Sequence, residues 1–382
     1  MQSQLDLFIP TPDHDYDIEE NPLYLSTQLL TYIGNKRSLL GFIGQGVAMV
    51  QNRLNKKKLR TFDVFSGSGI VARFLKQFSS MMYVSDLEKY SYVINECYLT
   101  NNADFNSLLY DSIFREIKWN IEEHGLREGL IRKLYSPQDD KMIVASDRVF
   151  YTNRNAMYID TVRSYIEDVP PEMKKFLLAP LLADASVHSN TSGVFKGFYK
   201  DSETGVGQFG GTNQDALKRI LGNIELKKPV LSNFECDYLV FQEDSNKIIN
   251  ELEEVDLAYI DPPYNQHPYG SNYFMLNLIV DYKEPQEVSK VSGIPNTWNK
   301  SLYNKKRSSF AAFRQLIEDV RAKYILISFN SEGFISLDMM TELLNGIGKL
   351  TVLETKYNTF RGCRNLHNRE KHVKEYLYLL EK

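Results

Sequence analysis

The sequence has few cysteines, no long apolar run and no excess of positive charge. Its 382 residues include only Cys97, Cys236 and Cys363, which are too few and too far apart for a disulfide framework or a Cys-x-x-Cys metal site. No stretch reaches the roughly 18 apolar residues that a membrane span requires. The acidic N-terminal region also lacks the pattern of a signal peptide. These absences predict reduced thiols and a cytoplasmic protein that does not bind a membrane.

Metal-binding patterns are also missing. The six histidines show no ligand-like spacing, so we predict no metal site and assign histidine no catalytic role. The formal net charge of −4 argues mildly against a nucleic-acid partner, because such binding draws on Lys and Arg. Local charge differs from this total, since basic residues cluster at 53–60 and at 300–307. The length suits one large catalytic domain that carries one insertion.

Apolar periodicity predicts an α/β, Rossmann-like fold at both ends of the chain. Residues 1–22 are polar and proline-containing, which indicates an irregular arm. Helices are expected at residues 39–50 and 70–78. Strands are expected at residues 61–65, 81–84, 257–260, 324–328, 350–355 and 376–380. The alternating pattern of strands and helices is absent from the middle of the chain. We therefore assign residues 23–111 and 234–382 to a catalytic domain and 112–233 to an inserted, mainly helical domain.

A glycine turn joins the first predicted strand to its helix. The turn contains Asp63, Phe65, Gly67 and Gly69, and glycine lets backbone N–H groups approach a ligand closely. A tight turn without a ligand and a dinucleotide site remain alternatives. Asp86 ends the second strand near the place, about 20 residues after the turn, where nucleotide-binding units carry an acid for ribose hydroxyls. A helix cap or a surface acid is its alternative role, but together the two features favour a ligand that contains adenosine.

The tetrapeptide Asp261-Pro262-Pro263-Tyr264 follows a predicted apolar strand. It therefore lies at a strand's carboxyl end, where open α/β sheets keep their active sites. Two prolines remove two backbone donors and leave carbonyl acceptors beside the Asp carboxylate. Such acceptors suit an exocyclic amine whose lone pair is directed at an electrophilic methyl group, and Tyr264 offers a stacking face for a base. The alternative is a rigid turn followed by a core aromatic residue.

The order of these motifs resembles that of the Dam-type, alpha-order adenine-N6 DNA methyltransferases. Tyr32-Ile33-Gly34-Asn35-Lys36 comes first, followed by the 65–69 turn, a long insertion and Asp261-Pro262-Pro263-Tyr264. Longer segments are similar to a restriction-modification branch of that family: 148–156, 190–195, 261–273 and 357–362. The resemblance covers nearly the whole chain after residue 22. It implies a site-specific enzyme that flips adenine out of duplex DNA and methylates its exocyclic amine with S-adenosylmethionine.

The resemblance also implies roles for individual residues. Tyr32 and Lys36 would contact the methionine part of the cofactor, and Asp86 would hold its ribose. Asp237 would contact the cofactor's adenine, although a surface acid before a core tyrosine is an alternative. The implied cofactor site comprises Tyr32, Lys36, Asp63, Phe65, Gly67, Gly69, Asp86, Asp237 and Asp261. The implied catalytic residues are Asp261, Pro262, Pro263 and Tyr264.

The insertion would be the target-recognition domain. Arg154, Asn190, Lys196 and Lys200 would supply base-edge and phosphate contacts to double-stranded DNA. Each could equally be an ordinary surface residue, and Asn190 could cap a turn. The resemblance also allows a cognate restriction endonuclease as a partner. Two other functions stay open from the sequence: methylation of adenine in RNA or of another amine, and a DNA-binding module without transfer activity.

Overall fold

The structure is a computed structural model that describes residues 18–263, 266–330, 333–358 and 372–382. Its centre is one sheet of seven strands: β1 (Leu59–Asp63), β2 (Ser79–Asp86), β3 (Asp237–Gln242), β4 (Val255–Ile260), β5 (Ala322–Asn330), β6 (Lys349–Asn358) and β7 (His372–Glu381). Their order across the sheet is β3-β2-β1-β4-β5-β7-β6. Strands β1 to β5 are parallel, whereas β7 runs antiparallel between β5 and β6. The predicted α/β, Rossmann-like sheet is confirmed.

All six predicted strands are present, but β3 was missed. Its residues alternate between exposed and half-buried, because β3 lies at the edge of the sheet, and Leu239 on it is 49% exposed. A central strand such as β4 is instead buried at every position. Strands buried on both faces appear in a sequence as continuous apolar runs, and edge strands do not. The apolar run therefore identified β4 and not β3.

Helices cover both faces of the sheet and build a further layer beside it. They are α1 (Pro22–Ser26), α2 (Leu40–Leu54), α3 (Ile70–Lys76), α4 (Lys89–Tyr98), α5 (Ser107–His124), α6 (Leu130–Tyr135), α7 (Asn153–Glu167), α8 (Pro171–Val187), α9 (Leu217–Ile220), α10 (Ser245–Ile248), α11 (Tyr269–Asn272), α12 (Phe274–Asp281), α13 (Ser309–Asp319) and α14 (Leu337–Asn345). Successive side chains of β4 point to opposite faces of the sheet. Leu257 and Tyr259 pack with α2 and α3 on one face, and Ala258 and Ile260 pack with α13 and α14 on the other. The sheet is thereby buried on both sides.

The chain between β2 and β3 is mainly helical, as predicted, and the domain borders stay predictions. The predicted border after residue 111 falls inside α5, which begins at Ser107 and is capped by the Asn106 side chain through the Leu109 N–H. The helical layer also recruits chain from beyond the insertion. Helix α12 shares one apolar core with α4, α7 and α8. Two segments that are distant in sequence therefore build this layer together.

A buried carboxylate fastens these two segments. Asp160 on α7 accepts hydrogen bonds from the backbone N–H groups of Gly129, Ile131 and Arg132, and from the Tyr282 hydroxyl just after α12. Four donors offset the cost of burying the charge. Among the described residues, no helix is long and apolar enough to cross a membrane.

Candidate active site

A cavity opens at the carboxyl ends of β1, β2, β3 and β4. Parallel strands bring their carboxyl ends to one edge of the sheet, and ligands of open α/β folds bind there. The segment before α2, the glycine turn and residues 299–304 complete its walls. The cavity therefore gathers residues from widely separated parts of the chain.

The glycine turn follows β1 and forms the floor of the cavity. Gly67 and Gly69 have φ of 54° and 75°, a left-handed backbone that favours glycine. A Cβ at residue 67 would lie 2.9 Å from the Tyr32 ring, and one at residue 69 would lie 2.9 Å from the Asn95 side-chain oxygen. Gly67 lines the cavity, whereas Gly69 starts α3 behind it and is not part of the wall. The two glycines therefore serve different purposes.

Asp86 fixes the shape of that turn. One of its carboxylate oxygens accepts from the Gly67 N–H at 2.7 Å and the other from the Glu88 N–H at 2.9 Å. Burial raises the pKa of this carboxyl, and these N–H donors oppose the rise. Because Asp86 also lines the cavity, it holds the turn and faces the ligand space at once.

Lys36 and Asp261 form an ion pair inside the cavity. Lys36 Nζ lies 3.1 Å from Asp261 Oδ2, and the side chains are 5% and 17% exposed. Lys36 precedes a short 3₁₀ turn that leads into α2, and Asp261 directly follows β4. Burial raises the pKa of Asp261, while the adjacent ammonium lowers it. Pro263 lines the cavity and Pro262 is buried, whereas Tyr264 lies outside the described residues.

Asp63 ends β1 and is the most deeply buried acid of the cavity, at 1% exposure. Among the described residues, none makes a hydrogen bond of standard geometry to either carboxylate oxygen, although the Ser66 side chain and the Ala72 N–H lie near enough to lower the pKa of Asp63. Burial, followed by the charge of Asp261, raises the pKa of this carboxyl to about 8. Asp63 thus presents an unsatisfied polar group to the ligand space.

Four tyrosines form a cluster beside the cavity that the sequence did not predict as a unit, and two of them, Tyr32 and Tyr269, line the cavity. The Tyr32 ring stacks on Tyr269 and Tyr273, with centroids 5.1 and 4.7 Å apart, and its hydroxyl lies 3.1 Å from that of Tyr90. The Tyr273 hydroxyl also accepts from the Ile33 N–H. The segment after Asp261 therefore holds the Tyr32 segment over the cavity. The only sequence signal for it was the family-like segment that ends at Tyr273.

The assignment of Asp237 to the cofactor site needs correction. Asp237 is the exposed first residue of β3, and it pairs with Met81 near the start of β2, so it lies at the end of the sheet away from the cavity. Asp244 follows the carboxyl end of β3 and lines the cavity instead. Asp237 was assigned wrongly because β3 was not predicted. The direction of this strand decides which of the two acids lies at the carboxyl end, where the cavity is.

Glu88 is a second cavity acid that the sequence reasoning missed. Its carboxylate accepts hydrogen bonds from the Asn277 and Asn299 side chains, which come from α12 and from the cavity wall. Burial, followed by the charge of Asp86, raises its pKa to about 7. No local motif marks this residue, because its partners lie far along the chain.

The four residues predicted to touch DNA fall into two groups. Asn190 is fully buried: its amide donates to the carbonyls of Val149 and Gln208, and its oxygen accepts from Gly210 N–H. It organises a loop and is not available to read a base, which favours its alternative role in a turn. Arg154 is partly engaged, since it donates to the Ile224 carbonyl at 2.8 Å.

Lys196 and Lys200 are exposed in the insertion. The Lys200 ammonium lies over the Phe198 ring, 5.2 Å from its centroid. Both lysines are placed where an external partner reaches them. Among the described residues, no group of three or more His, Cys, Asp or Glu side chains is arranged to hold a metal ion.

Comparison with known proteins places this geometry in a family. A family model described as D12 class N6 adenine-specific DNA methyltransferase matches residues 32–343. The chain belongs to this family. This methyltransferase is therefore an enzyme that modifies N6 of adenine in DNA, and the sequence-based resemblance is confirmed. Adenine in RNA and other amines, which the sequence left open as substrates, are not those of the family.

Relatives match this methyltransferase over most of its length. Type II methyltransferase M.NlaIII of Neisseria lactamica is 31% identical over 362 residues, which are 92% of this chain and 99% of the relative. Type II methyltransferase M.CviAII of Paramecium bursaria Chlorella virus 1 is 28% identical, with 91% and 97% covered. Type II methyltransferase M.FokI of Planomicrobium okeanokoites is 27% identical over 92% of this chain, which spans 53% of that longer protein.

Proposed function

We propose that this DNA adenine methyltransferase takes its methyl group from S-adenosylmethionine, bound in the cavity at the carboxyl ends of β1 to β4. The observation that carries the proposal is the meeting of the glycine turn, the acids that end β1, β2 and β4, and Lys36 in one cavity. The donor set fits the cofactor. The buried Asp63 carboxylate suits a positive charge on the cofactor, and a Cβ at residue 67 would collide with the Tyr32 ring in the cavity wall.

The remaining cavity acids suit the nucleoside part of the cofactor. Asp86 and Asp244 follow neighbouring strands, so their carboxylates offer acceptors for ribose hydroxyls and for the adenine amine. Tyr32 would pack against the methionine part, held in place by its stacked neighbours. When bound, the sulfonium cofactor supplies an activated methyl group, so the chemistry requires no metal.

We assign the orientation of the target amine to Asp261 and Pro262. The Asp261 carboxylate would accept one amine hydrogen and the Pro262 carbonyl the other, which directs the nitrogen lone pair at the methyl group. The Lys36 ammonium lowers the pKa of Asp261 against the effect of burial, and it lies 3.1 Å from one of the two carboxylate oxygens. None of the described residues donates a hydrogen bond to the second oxygen, Oδ1, so this oxygen is available to the amine.

The target adenine would have to leave the duplex to reach Asp261. Flipping a base costs a few kcal/mol of pairing and stacking. Stacking on an aromatic ring recovers roughly 1–3 kcal/mol, and we assign this role to Tyr264 from its place in the tetrapeptide. The assignment rests on the sequence, since Tyr264 lies outside the described residues.

We further propose that the helical insertion recognises the DNA target and that two basic surfaces hold its phosphates. One surface carries the exposed Lys196 and Lys200. The other is the exposed run 305–307, which directly follows the cavity wall formed by Ser301, Tyr303 and Asn304. Exposed lysine and arginine beside a site gain affinity by neutralising phosphates.

The relatives named as type II methyltransferases support a role in restriction-modification. We propose that this enzyme methylates one short DNA sequence and so protects it from a cognate endonuclease. Expression of the chain in cells without adenine methylation, followed by sequencing that detects N6-methyladenine, tests this. We expect methylation within one sequence context for the unchanged chain and none for Asp261→Ala. Unmethylated DNA from cells that contain the folded protein would contradict the proposal.

A further inference from the structure

The cavity wall carries a strong excess of acids. Among the described residues that line it, the carboxyl groups belong to Asp63, Asp86, Glu88, Asp244 and Asp261, and the one basic side chain is Lys36. The wall would therefore have a formal charge of −4 if every group were ionised. A buried excess of this size is costly, because charges in a low-dielectric site repel one another strongly.

Two of the acids relieve this repulsion by taking up protons. Asp63 faces Asp261, Asp86 and Tyr259, and no described residue makes a hydrogen bond of standard geometry to it. Its pKa is raised to about 8. Glu88 faces Asp86 and Tyr90, receives two amide hydrogen bonds, and has a pKa raised to about 7. Near neutral pH, Asp63 is mostly protonated and Glu88 is about half protonated.

The proposed ligand changes charge during its reaction. S-adenosylmethionine carries a sulfonium, an ammonium and a carboxylate, for a net charge of +1. The demethylated thioether product keeps the ammonium and the carboxylate and is neutral overall. A positive charge that enters the cavity favours the ionised form of nearby carboxyls, so it lowers their pKa values.

We propose that Asp63 and Glu88 make the cavity select the cationic sulfonium donor over its neutral thioether product, and that donor binding expels protons from these two carboxyls. The inference rests on the proposed use of S-adenosylmethionine in this cavity. Glu88 and Asp63 then both contribute to the preference of the cavity for the donor over the product. Release of the product is aided because the cavity takes protons back when the positive charge is lost.

The direction of the pH dependence follows from linkage. Near pH 6 both carboxyls are mostly protonated in the free enzyme, so the donor has to displace protons and binds more weakly. Well above pH 8 both are already ionised, and the donor gains nothing more. Donor affinity therefore rises between pH 6 and 8, by up to about tenfold per unit for each proton released. Product affinity rises less over the same range, because the product lacks the sulfonium charge. Both ligands carry the ammonium group, so its effect on affinity cancels in the ratio of the two affinities.

Titration calorimetry of the full chain tests the inference. Binding of S-adenosylmethionine and of S-adenosylhomocysteine is measured at pH 7.5 in two buffers of different ionisation enthalpy, which counts the protons released. We expect the donor to release about half a proton more than the product. We also expect the donor-to-product affinity ratio to rise at least about fivefold from pH 6 to pH 8.

Isosteric variants identify the groups responsible. Asp63→Asn and Glu88→Gln should each flatten the pH dependence of the ratio, whereas Glu254→Gln, which removes an exposed carboxyl outside the cavity, should leave it unchanged. If a variant does not fold, the proton counts of the unchanged protein decide alone. Equal proton release for both ligands with a constant ratio would overturn the inference. Failure of both ligands to bind would instead contradict the proposed cofactor.

Discussion

Lys36 and Asp261 meet as a buried ion pair 3.1 Å apart, although one residue precedes α2 and the other follows β4. The pair connects a segment assigned to the cofactor with the acid assigned to the target amine. The Lys36 ammonium thus influences the ionisation of the Asp261 carboxyl, and substitution of Lys36 can test this influence.

Replacing Lys36 by Met should shift the pH dependence of methylation. Burial raises the pKa of Asp261 and Lys36 lowers it, so loss of the ammonium raises it further. Asp261 then ionises only at higher pH, and the acid limb of the profile of kcat/KM against pH should move up by about one unit or more. Lys36→Arg keeps the charge and should largely preserve the profile. An unchanged profile in Lys36→Met would exclude this electrostatic role.

Replacing Asp261 by Asn should separate turnover from cofactor binding. The amide keeps the shape of the side chain but loses its charge and turns one acceptor into a donor, so the target amine is no longer held. We expect kcat to fall by about 10²–10³ or more, as for other preorganised polar groups at a reaction centre. The affinity for cofactor, measured by calorimetry, should change only a few-fold. Methylation by the folded variant at the parent rate would refute the mechanism.

Replacing Tyr264 by Ala should weaken action on DNA far more than binding of cofactor. The ring is assigned to stack on the flipped base, which is worth roughly 1–3 kcal/mol, or about 5–150-fold. Tyr264→Phe keeps the stacking face and should retain most of the activity. A 2-aminopurine at the target position reports flipping through its fluorescence. Undiminished methylation by Tyr264→Ala would rule out the stacking role.

Replacing Gly67 by Ala should damage the cofactor site specifically. The new Cβ would lie 2.9 Å from the Tyr32 ring at a φ of +54°. Gly205→Ala is a matched control, because its φ is +69° and nothing lies within 4 Å of its Cβ position. Both variants should lose about 1–2 kcal/mol of unfolding free energy from the left-handed backbone. Only Gly67→Ala should bind cofactor at least about tenfold more weakly, which is about 1.4 kcal/mol; equal affinities would contradict the steric argument.

Substitutions of the buried Asn190 and of the exposed Lys196 and Lys200 should have different effects on stability and on DNA binding. Asn190→Ala removes three hydrogen bonds, two of them buried, and should lower the free energy of unfolding by about 1–3 kcal/mol in a denaturant titration. Lys196→Ala and Lys200→Ala should leave stability unchanged and weaken DNA binding. Each lysine that contacts a phosphate should reduce the slope of log affinity against log salt by about one. Unchanged slopes in both lysine variants would place the DNA elsewhere.

Much of the site could be predicted from short segments of sequence, because those segments contain most of its chemically active groups. Gly67 and Asp86 were predicted from a turn and a strand end, and both line the cavity. Asp261 was predicted from two prolines that limit what else the segment can do. Each of these signals depends only on neighbours in the chain, so it can be read without knowing the fold.

Errors arose where position depends on contacts far along the chain. Asp237 and Asp244 are both acids near β3, and only the direction and extent of that edge strand place Asp244 in the cavity. Asn190 has the side chain of a base reader, but three hydrogen bonds within the protein occupy it. The chemical type of a residue is visible in the sequence, whereas its burial is not.

The amino-acid sequence was sufficient to predict the α/β class, the motif order, the glycine turn and the acceptor turn at Asp261, because backbone preferences and apolar periodicity are local. The three-dimensional packing of the chain brings particular groups into one cavity. It paired Lys36 with Asp261, brought Glu88 to the cavity through Asn277 and Asn299, and joined the insertion to α12 in one core. These relationships depend on packing between distant segments, and that packing sets both the charge of the cavity and its shape.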